Sequence, residues 1–388
     1  MRILTRVLSE GKTLPEALED VPPGARAWLM EVCSGALRWK GRLDWVIDET
    51  SLKKKPTGWL RKILLIGSYQ LIAQDRTDPT SVVFETVEEV KSKEGEAPAR
   101  FANAVLRKVA EHAARWRALP PESAAWGSLP EWLWRKLVEQ RGPDWARAYA
   151  EASLARPQLW LRGREGSREI VEGGRVEELP GFREGEFFIQ DISSQTLVSE
   201  IAAEVKRAFP ETASLSALDL CAAPGGKSVG LAWNGFEVSA ADLGPERIAM
   251  LSQTVERTRS NVKIIPRDQV KGLSSQDLVW IDAPCTGTGI LRRHPEVRWL
   301  RKENELAGLT KIQHELLVEG WEKVRPGGFL AYSVCSVLKE EGIEAIARAG
   351  LQARLVKEWL LCPQNPPHGD GFWAGLIRKE SGRLHHPQ

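Results

Sequence analysis

The chain of 388 residues has little net charge, few cysteines and no long hydrophobic run. Its formal net charge of +2 excludes a uniform polycation, so any surface that binds nucleic acid must be a local basic patch. No stretch of about 18 apolar residues is present that could span a membrane, and the N-terminal residues lack the apolar core of a signal peptide. We therefore expect a cytoplasmic protein without membrane contact.

The five cysteines are scattered and include no Cys-x-x-Cys pair, which argues against a zinc site and against a redox motif. Scattered cysteines in a cytoplasmic chain are usually small buried hydrophobic residues. We expect that role for Cys33 and Cys362 and expect no metal cofactor.

Residues 1–118 have apolar residues at helical spacing and no convincing strand alternation. Helices are predicted over 61–74, 78–95 and 99–116, the second of them starting at Asp78. This pattern predicts an all-α N-terminal domain.

After residue 118 the predicted secondary structure changes twice along the chain. A proline-rich linker, two short helical segments and a glycine-rich stretch predict a small α+β subdomain. Beyond it, short apolar runs alternate with helical segments, which is the pattern of a mostly parallel sheet covered on both faces. Two final strand-like runs, 353–359 and 371–379, predict an antiparallel hairpin at one edge of a seven-stranded sheet. The predicted domains are 1–118, 119–185 and 186–388.

In an open α/β sheet, ligands bind beyond the carboxyl ends of the strands. The first strand of the predicted sheet is followed by CAAPGGKS (221–228), whose glycines allow close approach of the backbone to a ligand at a helix start. Acidic residues follow the next three strands, namely Asp242, Asp268 and Asp282. A glycine loop followed by an acid for ribose hydroxyls suits a nucleoside cofactor without a phosphate chain, such as S-adenosylmethionine.

The same loop resembles a P-loop followed by a Walker B strand. The P-loop pattern requires glycine where this chain has Cys221, and Pro224 removes an N–H group that a phosphate cradle would use. Both departures argue against a nucleotide triphosphatase.

Cys285 follows the fourth strand and Cys335 ends the fifth, so both thiols are predicted at the rim that carries the cofactor loop. Two thiols at one rim suit methylation of pyrimidine C5, which is too weak a nucleophile to react unaided. Addition of a thiolate to C6 makes C5 nucleophilic, and an acid near N3, for which Asp282 is the candidate, assists that addition. A base must then take the C5 proton before the thiol can leave.

Several segments resemble the RNA cytosine-C5 methyltransferases: ALDLCAAPGGKS, LVWIDAPCTGTGILRRHPEVRWL, RPGGFLAYSVCSVLKEE and PHGDGFWAGLIRK. The N-terminal segments VCSGALRW, IGSYQLI, FETVEEVK and FANAVLRK are similar to the NusB-like RNA-binding domain. Together they resemble the bacterial 16S rRNA enzymes of the Sun/Fmu (RsmB) type. The resemblance implies a multidomain fold, in which an all-α NusB-like domain and a small α+β linker subdomain precede a Rossmann-like methyltransferase domain. It also implies S-adenosylmethionine as the cofactor, 16S rRNA as the partner and a monomeric enzyme.

The resemblance further implies roles for individual residues. Cys335 matches the nucleophile, Cys285 matches the second cysteine that helps release the methylated product, and Asp282 matches the acid beside the cytosine ring. The implied cofactor contacts are Cys221, Ala222, Ala223, Pro224, Gly225, Gly226, Lys227, Asp242, Arg247, Asp268 and Asp282.

Two basic clusters are candidates for contact with RNA phosphates. For the first cluster a solvated helix face is the simpler interpretation, whereas the resemblance favours phosphate contacts for the second. The first cluster comprises Lys53, Lys54 and Lys55, and the second comprises Arg292, Arg293, His294 and Arg298.

A second class of function is open to this sequence, namely a non-catalytic RNA-binding or ribosome assembly factor that retains the methyltransferase fold. The intact cysteine pair and cofactor loop argue against it. For the enzyme, the target base must leave its stack to reach two thiols in a cleft, so an exposed or loop cytosine is expected.

Overall fold

The computed structural model describes residues 1–51, 55–74, 77–118, 125–170 and 175–380. Contacts within the chain divide it into two compact units. The first, here called the helical unit, comprises 1–156 and 290–303, and the second, the sheet unit, comprises 157–289 and 304–388. The division into three domains expected from the sequence stays a prediction.

The described residues of the helical unit form helices and no strands, which confirms the predicted all-α N-terminus. In chain order its first helices are α1 (Arg2–Glu10), α2 (Leu14–Ala17), α3 (Pro23–Thr50), α4 (Gly58–Ile72), α5 (Pro79–Glu94), α6 (Glu96–Glu111), α7 (Ala113–Arg117), α8 (Glu131–Arg141) and α9 (Pro143–Leu154).

Local sequence explains where these helices begin and end. The Asp78 carboxylate accepts hydrogen bonds from the backbone N–H groups of Thr80 (3.4 Å) and Ser81 (2.8 Å), so the predicted start of α5 is confirmed. The helix predicted over 99–116 is divided in two, because His112 has a non-helical backbone conformation between α6 and α7.

The sheet unit begins with a small antiparallel sheet of order β2-β1-β3. Its strands are β1 (Leu159–Gly163), β2 (Ser167–Ile170) and β3 (Phe187–Ile189). The buried Arg162 of β1 donates hydrogen bonds to the Gln195 carbonyl (3.1 Å) and to the Ser199 hydroxyl (3.0 Å), which ties this sheet to the helix that follows it.

The remaining elements form a seven-stranded sheet of order β6-β5-β4-β7-β8-β10-β9. Five neighbouring strands pair in parallel, in the order β6, β5, β4, β7 and β8. Strand β10 pairs antiparallel with both β8 and β9. The predicted parallel sheet with an edge hairpin is thereby confirmed. The elements, in chain order, are α10 (Ile192–Ala208), β4 (Leu215–Asp219), α11 (Gly226–Trp233), β5 (Phe236–Ala240), α12 (Pro245–Thr258), β6 (Val262–Ile264), β7 (Gln276–Asp282), α13 (Val297–Leu300, which belongs to the helical unit), α14 (Glu305–Lys323), β8 (Val324–Val334), α15 (Ile343–Ala349), β9 (Ala353–Leu361) and β10 (Phe372–Lys379).

Apolar side chains cover both faces of this sheet. Residues of α10, α11 and α12 pack on one face around Trp280, which is fully buried, and residues of α14 and α15 pack on the other. Strands buried on both faces explain the continuous apolar runs in the sequence. Their carboxyl ends are the part of the sheet from which polar side chains can reach a ligand.

Within the described residues, no helix combines the length and apolar character needed to cross a membrane.

Candidate active site

Cys285 and Cys335 meet at the carboxyl ends of β7 and β8, where their sulfur atoms are 3.3 Å apart. Cys285 is 9% exposed and Cys335 is half-buried. The hydrogen bond to Cys335 and the burial of the side chain raise the pKa of the Cys285 thiol well above its usual range. Burial and this contact therefore favour the neutral thiol of Cys285, while Cys335 is the more accessible sulfur.

A three-loop junction centred on Gly289 holds the two cysteines together. The Gly289 N–H group donates to the Cys335 carbonyl (2.9 Å), and the Gly371 N–H group donates to the Gly289 carbonyl (2.7 Å). A Cβ atom at Gly289 would lie 1.9 Å from the Gly371 carbonyl oxygen, which leaves no room for any side chain. Glycine is required here by close approach of backbone to backbone.

Asp282 ends β7 and is held from two sides. One carboxylate oxygen accepts from the Lys227 ammonium (2.6 Å) and the other from the Ser333 hydroxyl (2.8 Å), which itself accepts from the indole N–H of Trp280 (3.0 Å). Burial alone would lower the pKa of Lys227, but the neighbouring Asp282 carboxylate outweighs burial and raises it. The two side chains form an ion pair at the rim.

The loop after β4 is anchored by Asp242. The Asp242 carboxylate accepts from the backbone N–H groups of Ala223 and Leu243, both at 2.7 Å, and from the Arg247 guanidinium at 2.5 and 2.9 Å. Burial would raise the pKa of Asp242, but Arg247 and these N–H groups lower it. Gly225 has φ +109, a conformation that favours glycine, and is the N-cap residue that precedes α11. The loop is thus a preformed turn with an ionised carboxylate beside it.

Other predicted cofactor residues differ in their surroundings. The burial of Cys221, together with the charges of Asp219 and Asp242, raises the pKa of its thiol, so Cys221 supplies no thiolate. Asp268 lies in a short 3₁₀ helix after β6 and is exposed. Cys33 and Cys362 are buried, which confirms their expected structural role.

Asp219 at the end of β4 was not singled out in the sequence. It is fully buried, it accepts from the Ser228 hydroxyl (2.7 Å), and burial raises its pKa to about 7. The feature of the sequence that indicates Asp219 is an acidic residue at the end of an apolar strand.

Glu341 and Gln313 are also absent from the site residues predicted from the sequence. Both side chains are fully buried beside the loop that carries Cys285. Glu341 follows Glu340 directly, and nothing in the spacing of two adjacent acids distinguishes the buried one.

The burial of Arg292 and Arg298 corrects their predicted contact with RNA phosphates. Arg298 is 1% exposed and donates to the Ser128 carbonyl (2.9 Å) and the Ser153 carbonyl (2.6 Å), so its guanidinium is used inside the helical unit. Arg292 is also buried, and its own carbonyl accepts two hydrogen bonds from Arg38. Phosphate contacts require exposed guanidinium groups, which these residues do not offer.

The remaining basic candidates are more exposed. Arg293 and His294 are partly exposed, and the His294 ring lies 3.5 Å from the buried carboxylate of Glu296. Lys55 is exposed and forms an ion pair with Asp48 (3.1 Å). The predictions for Lys53 and Lys54 lie outside the described residues.

Across the described ranges, no group of three or more His, Cys, Asp or Glu side chains is arranged to hold a metal ion.

Comparison with known protein families gives two matches. Residues 210–373 match the model of the 16S rRNA methyltransferase RsmB/F, and residues 1–111 match the NusB family. The two matched ranges correspond to the sheet with its rim and to the helices of the N-terminus.

Individual proteins resemble the chain over nearly its whole length. Ribosomal RNA small subunit methyltransferase B of Citrobacter koseri is 31% identical over 425 residues, covering 96% of each chain. The protein of the same name from Klebsiella pneumoniae is 30% identical over 434 residues, covering 97% of each. Among solved structures, the protein PH0851 has a TM-score of 0.70 at 21% identity, covering 97% of each chain. A methyltransferase homologue from Pyrococcus horikoshii has a TM-score of 0.56 at 21% identity, covering 66% of this chain and 97% of that one.

The Gly289 junction predicts that Gly289→Ala separates the two thiols. A methyl group cannot fit against the Gly371 carbonyl, so the loops of Cys285 and Cys335 must move apart. We expect cross-linking of these thiols by dibromobimane to slow by about tenfold. Gly308→Ala is the matched control, since Gly308 lies in α14 with nothing within 4 Å of its added Cβ. Equal rates in the wild type and Gly289→Ala would contradict the assigned role of Gly289.

The contacts of Arg298 predict that Arg298→Met destabilises the helical unit. The substitution leaves the buried carbonyls of Ser128 and Ser153 without their donor, at a cost of about 3 kcal/mol. Urea unfolding followed by tryptophan fluorescence measures this loss. Arg147→Met on the exposed face of α9 is the control, with an expected change of about 0.5 kcal/mol or less. A similar small change for Arg298→Met would show that its buried hydrogen bonds contribute little.

Proposed function

The chain belongs to the family of 16S rRNA methyltransferases RsmB/F, and from this membership we propose that it transfers a methyl group from S-adenosylmethionine to C5 of a cytosine in 16S rRNA. Members of this family use S-adenosylmethionine as the methyl donor. The observation that carries the C5 assignment is the pair of sulfur atoms 3.3 Å apart at the rim of the sheet. Methylation of a nitrogen or an oxygen needs no thiol, whereas methylation of C5 requires a nucleophile at C6.

The residues of the loop after β4 fit this methyl donor. Gly225 and Gly226 let the backbone approach a ligand, and Asp242 offers a carboxylate for ribose hydroxyls. Arg247 is 54% exposed, so it can move aside when a ligand takes its place on Asp242. The donor supplies an electrophilic methyl group, and the chain supplies its orientation.

Cys335 is the proposed nucleophile. It is the more exposed of the two sulfurs, and it lies within the electrostatic reach of the Lys227 ammonium. A neighbouring cation stabilises the thiolate that an attack on C6 requires. Cys285 is buried and keeps its proton, which suits a donor better than an attacking group.

The Lys227–Asp282 pair is proposed to stabilise the adduct. When the thiolate adds to C6, negative charge spreads over the O2 and N3 atoms of the base. A hydrogen bond between N3 and the Asp282 carboxyl group assists the addition, and the Lys227 ammonium, 2.6 Å from that carboxyl group, offsets the charge while it keeps its own proton. Ser333 and Trp280 keep the carboxylate in place.

Cys285 is proposed to assist release. After a base removes the C5 proton, the bond between Cys335 and C6 must break and leave a thiolate. The Cys285 thiol lies against that sulfur and can donate its proton to it as the bond breaks.

The basic residues proposed to contact RNA are those whose side chains are exposed or partly exposed. Lys55, Arg293 and His294 remain candidates for phosphate contacts. The monomeric state and the cytoplasmic location expected from the sequence stay predictions.

The two cysteines predict opposite phenotypes. With labelled S-adenosylmethionine and 16S rRNA transcripts, Cys335→Ala loses both methyl transfer and the covalent RNA adduct seen on denaturing gels. Cys285→Ala still attacks C6 but releases slowly, so the adduct accumulates. Cys33→Ala, which removes a buried thiol of the helical unit, is the control and retains both activities.

Two results would overturn this scheme. An adduct formed by Cys335→Ala would reverse the roles of the cysteines. Binding of S-adenosylmethionine by the wild type without methyl transfer to any rRNA would support a non-catalytic RNA-binding or assembly factor instead.

The anchoring of the cofactor loop predicts that Asp242→Asn weakens binding of S-adenosylmethionine. The amide keeps the shape of the side chain, but it cannot accept from Arg247 or from a ribose hydroxyl with the strength of a carboxylate. We expect Kd to rise by about tenfold in isothermal titration calorimetry. Glu246→Gln, an exposed neighbour in α12, is the control, and an unchanged Kd for Asp242→Asn would exclude it from the cofactor site.

A further inference from the structure

A fully buried carboxylate, Glu341, lies in the loop between β8 and α15. It accepts hydrogen bonds from the Thr286 N–H group (2.8 Å), the Thr286 hydroxyl (2.5 Å) and the Gln313 side-chain amide (3.1 Å). Its backbone carbonyl accepts from the Tyr332 hydroxyl (2.8 Å). A buried carboxylate requires hydrogen-bond donors for its oxygens, and both oxygens of Glu341 have them.

These donors enclose the backbone of Cys285. Thr286 follows Cys285 and is bound by Glu341, while the Gln313 amide donates both to Glu341 and to the carbonyl of Pro284 (3.0 Å), which precedes Cys285. The peptide groups on both sides of the cysteine are thus fixed through one carboxylate and one amide. The position of the Cys285 sulfur against Cys335 depends on this arrangement.

We propose that Glu341 is a positioning residue, which clamps the loop of Cys285 against Cys335 and places a carboxylate beside that loop. The inference rests on the proposed function, because it assigns the two sulfurs to thiolate chemistry. Glu341 itself touches neither the base nor the methyl donor in that scheme.

The charges around the pair support this placement of the carboxylate. The hydrogen bond to Cys335 and burial come first among the causes that raise the pKa of Cys285, and the negative charge of Glu341 raises it further. The ammonium of Lys227 acts on Cys335 from the opposite side. Negative charge is therefore disfavoured on Cys285, and Cys335 is the sulfur that remains for the attack.

The other titratable groups near the two thiols do not cancel the effect of Glu341 on the pKa of Cys285. The Tyr332 hydroxyl is buried, its pKa is raised mainly by burial, and it donates to the Glu341 carbonyl as a neutral group. Asp282 is paired with Lys227. Glu341 therefore adds to the effects of Cys335 and of burial, which raise the pKa of the Cys285 thiol.

Kinetics test the positioning role. In Glu341→Gln, we expect kcat for methyl transfer to fall by about tenfold or more, while KM for the transcript and for S-adenosylmethionine stays within about twofold. Gln313→Met removes the shared donor but keeps the charge of Glu341, and it should lower kcat in the same way. Glu344→Gln, an exposed acid three residues further along, is the control and should match the wild type.

The pH dependence of Cys285 alkylation distinguishes the effect of the Glu341 charge from the effect of Glu341 on the position of the loop. In a Cys335→Ala background, iodoacetamide labelling of Cys285 is followed by peptide mass spectrometry as a function of pH. Loss of the charge in Glu341→Gln lowers the apparent pKa of labelling by about 1. Gln313→Met does not lower it, and a loosened loop alone raises the rate at every pH without moving the midpoint.

Failure of the proposed methyl transfer and failure of the Glu341 role give different results. A wild type that transfers no methyl group to 16S rRNA would refute the proposed function and the kinetic role of Glu341 with it. If the wild type is active and Glu341→Gln retains its kcat and its labelling midpoint, Glu341 alone is excluded. If Glu341→Gln does not fold, unchanged kcat in Gln313→Met would still overturn the clamp.

Discussion

The parallel pairing of β7 with β8 is the contact on which the site depends. Its register sets Asp282 opposite Ser333, so the two loops that leave these strands start side by side. Cys285 and Cys335 follow within three residues of that pair, and their sulfurs meet because both loops turn toward the same rim. A register shift by one residue would turn Asp282 to the other face of the sheet and leave the thiols without their acid.

At this rim a positive and a negative side chain act on the thiol pair from opposite sides. The Lys227 ammonium acts on the side of Cys335, and the Glu341 carboxylate acts on the side of Cys285. Each of these charges is itself satisfied, Lys227 by Asp282 and Glu341 by surrounding donors. Two chemically identical side chains therefore lie in different electrostatic surroundings before any substrate arrives.

Much of this architecture could be predicted from the sequence, because strands buried on both faces appear as apolar runs and parallel topology collects their carboxyl ends at one rim. The positions of Cys285 and Cys335 follow from that reasoning. The surroundings of Arg298 could not be predicted, because a basic residue in sequence does not show whether phosphates or buried carbonyls accept its hydrogen bonds. The burial of Glu341 was hidden for a similar reason, since its donors come from elements distant in the chain.

The segment 290–303 leaves the sheet unit directly after the Gly289 junction and packs as part of the helical unit. The two units are therefore joined by three chain crossings, and no single cleavage yields both of them whole. A shortened protein that began at residue 157 would still carry this segment, with Arg298 and Trp299 stripped of the partners that they have among the N-terminal helices. Removal of the N-terminal helices alone would therefore leave part of the helical unit attached to the sheet unit.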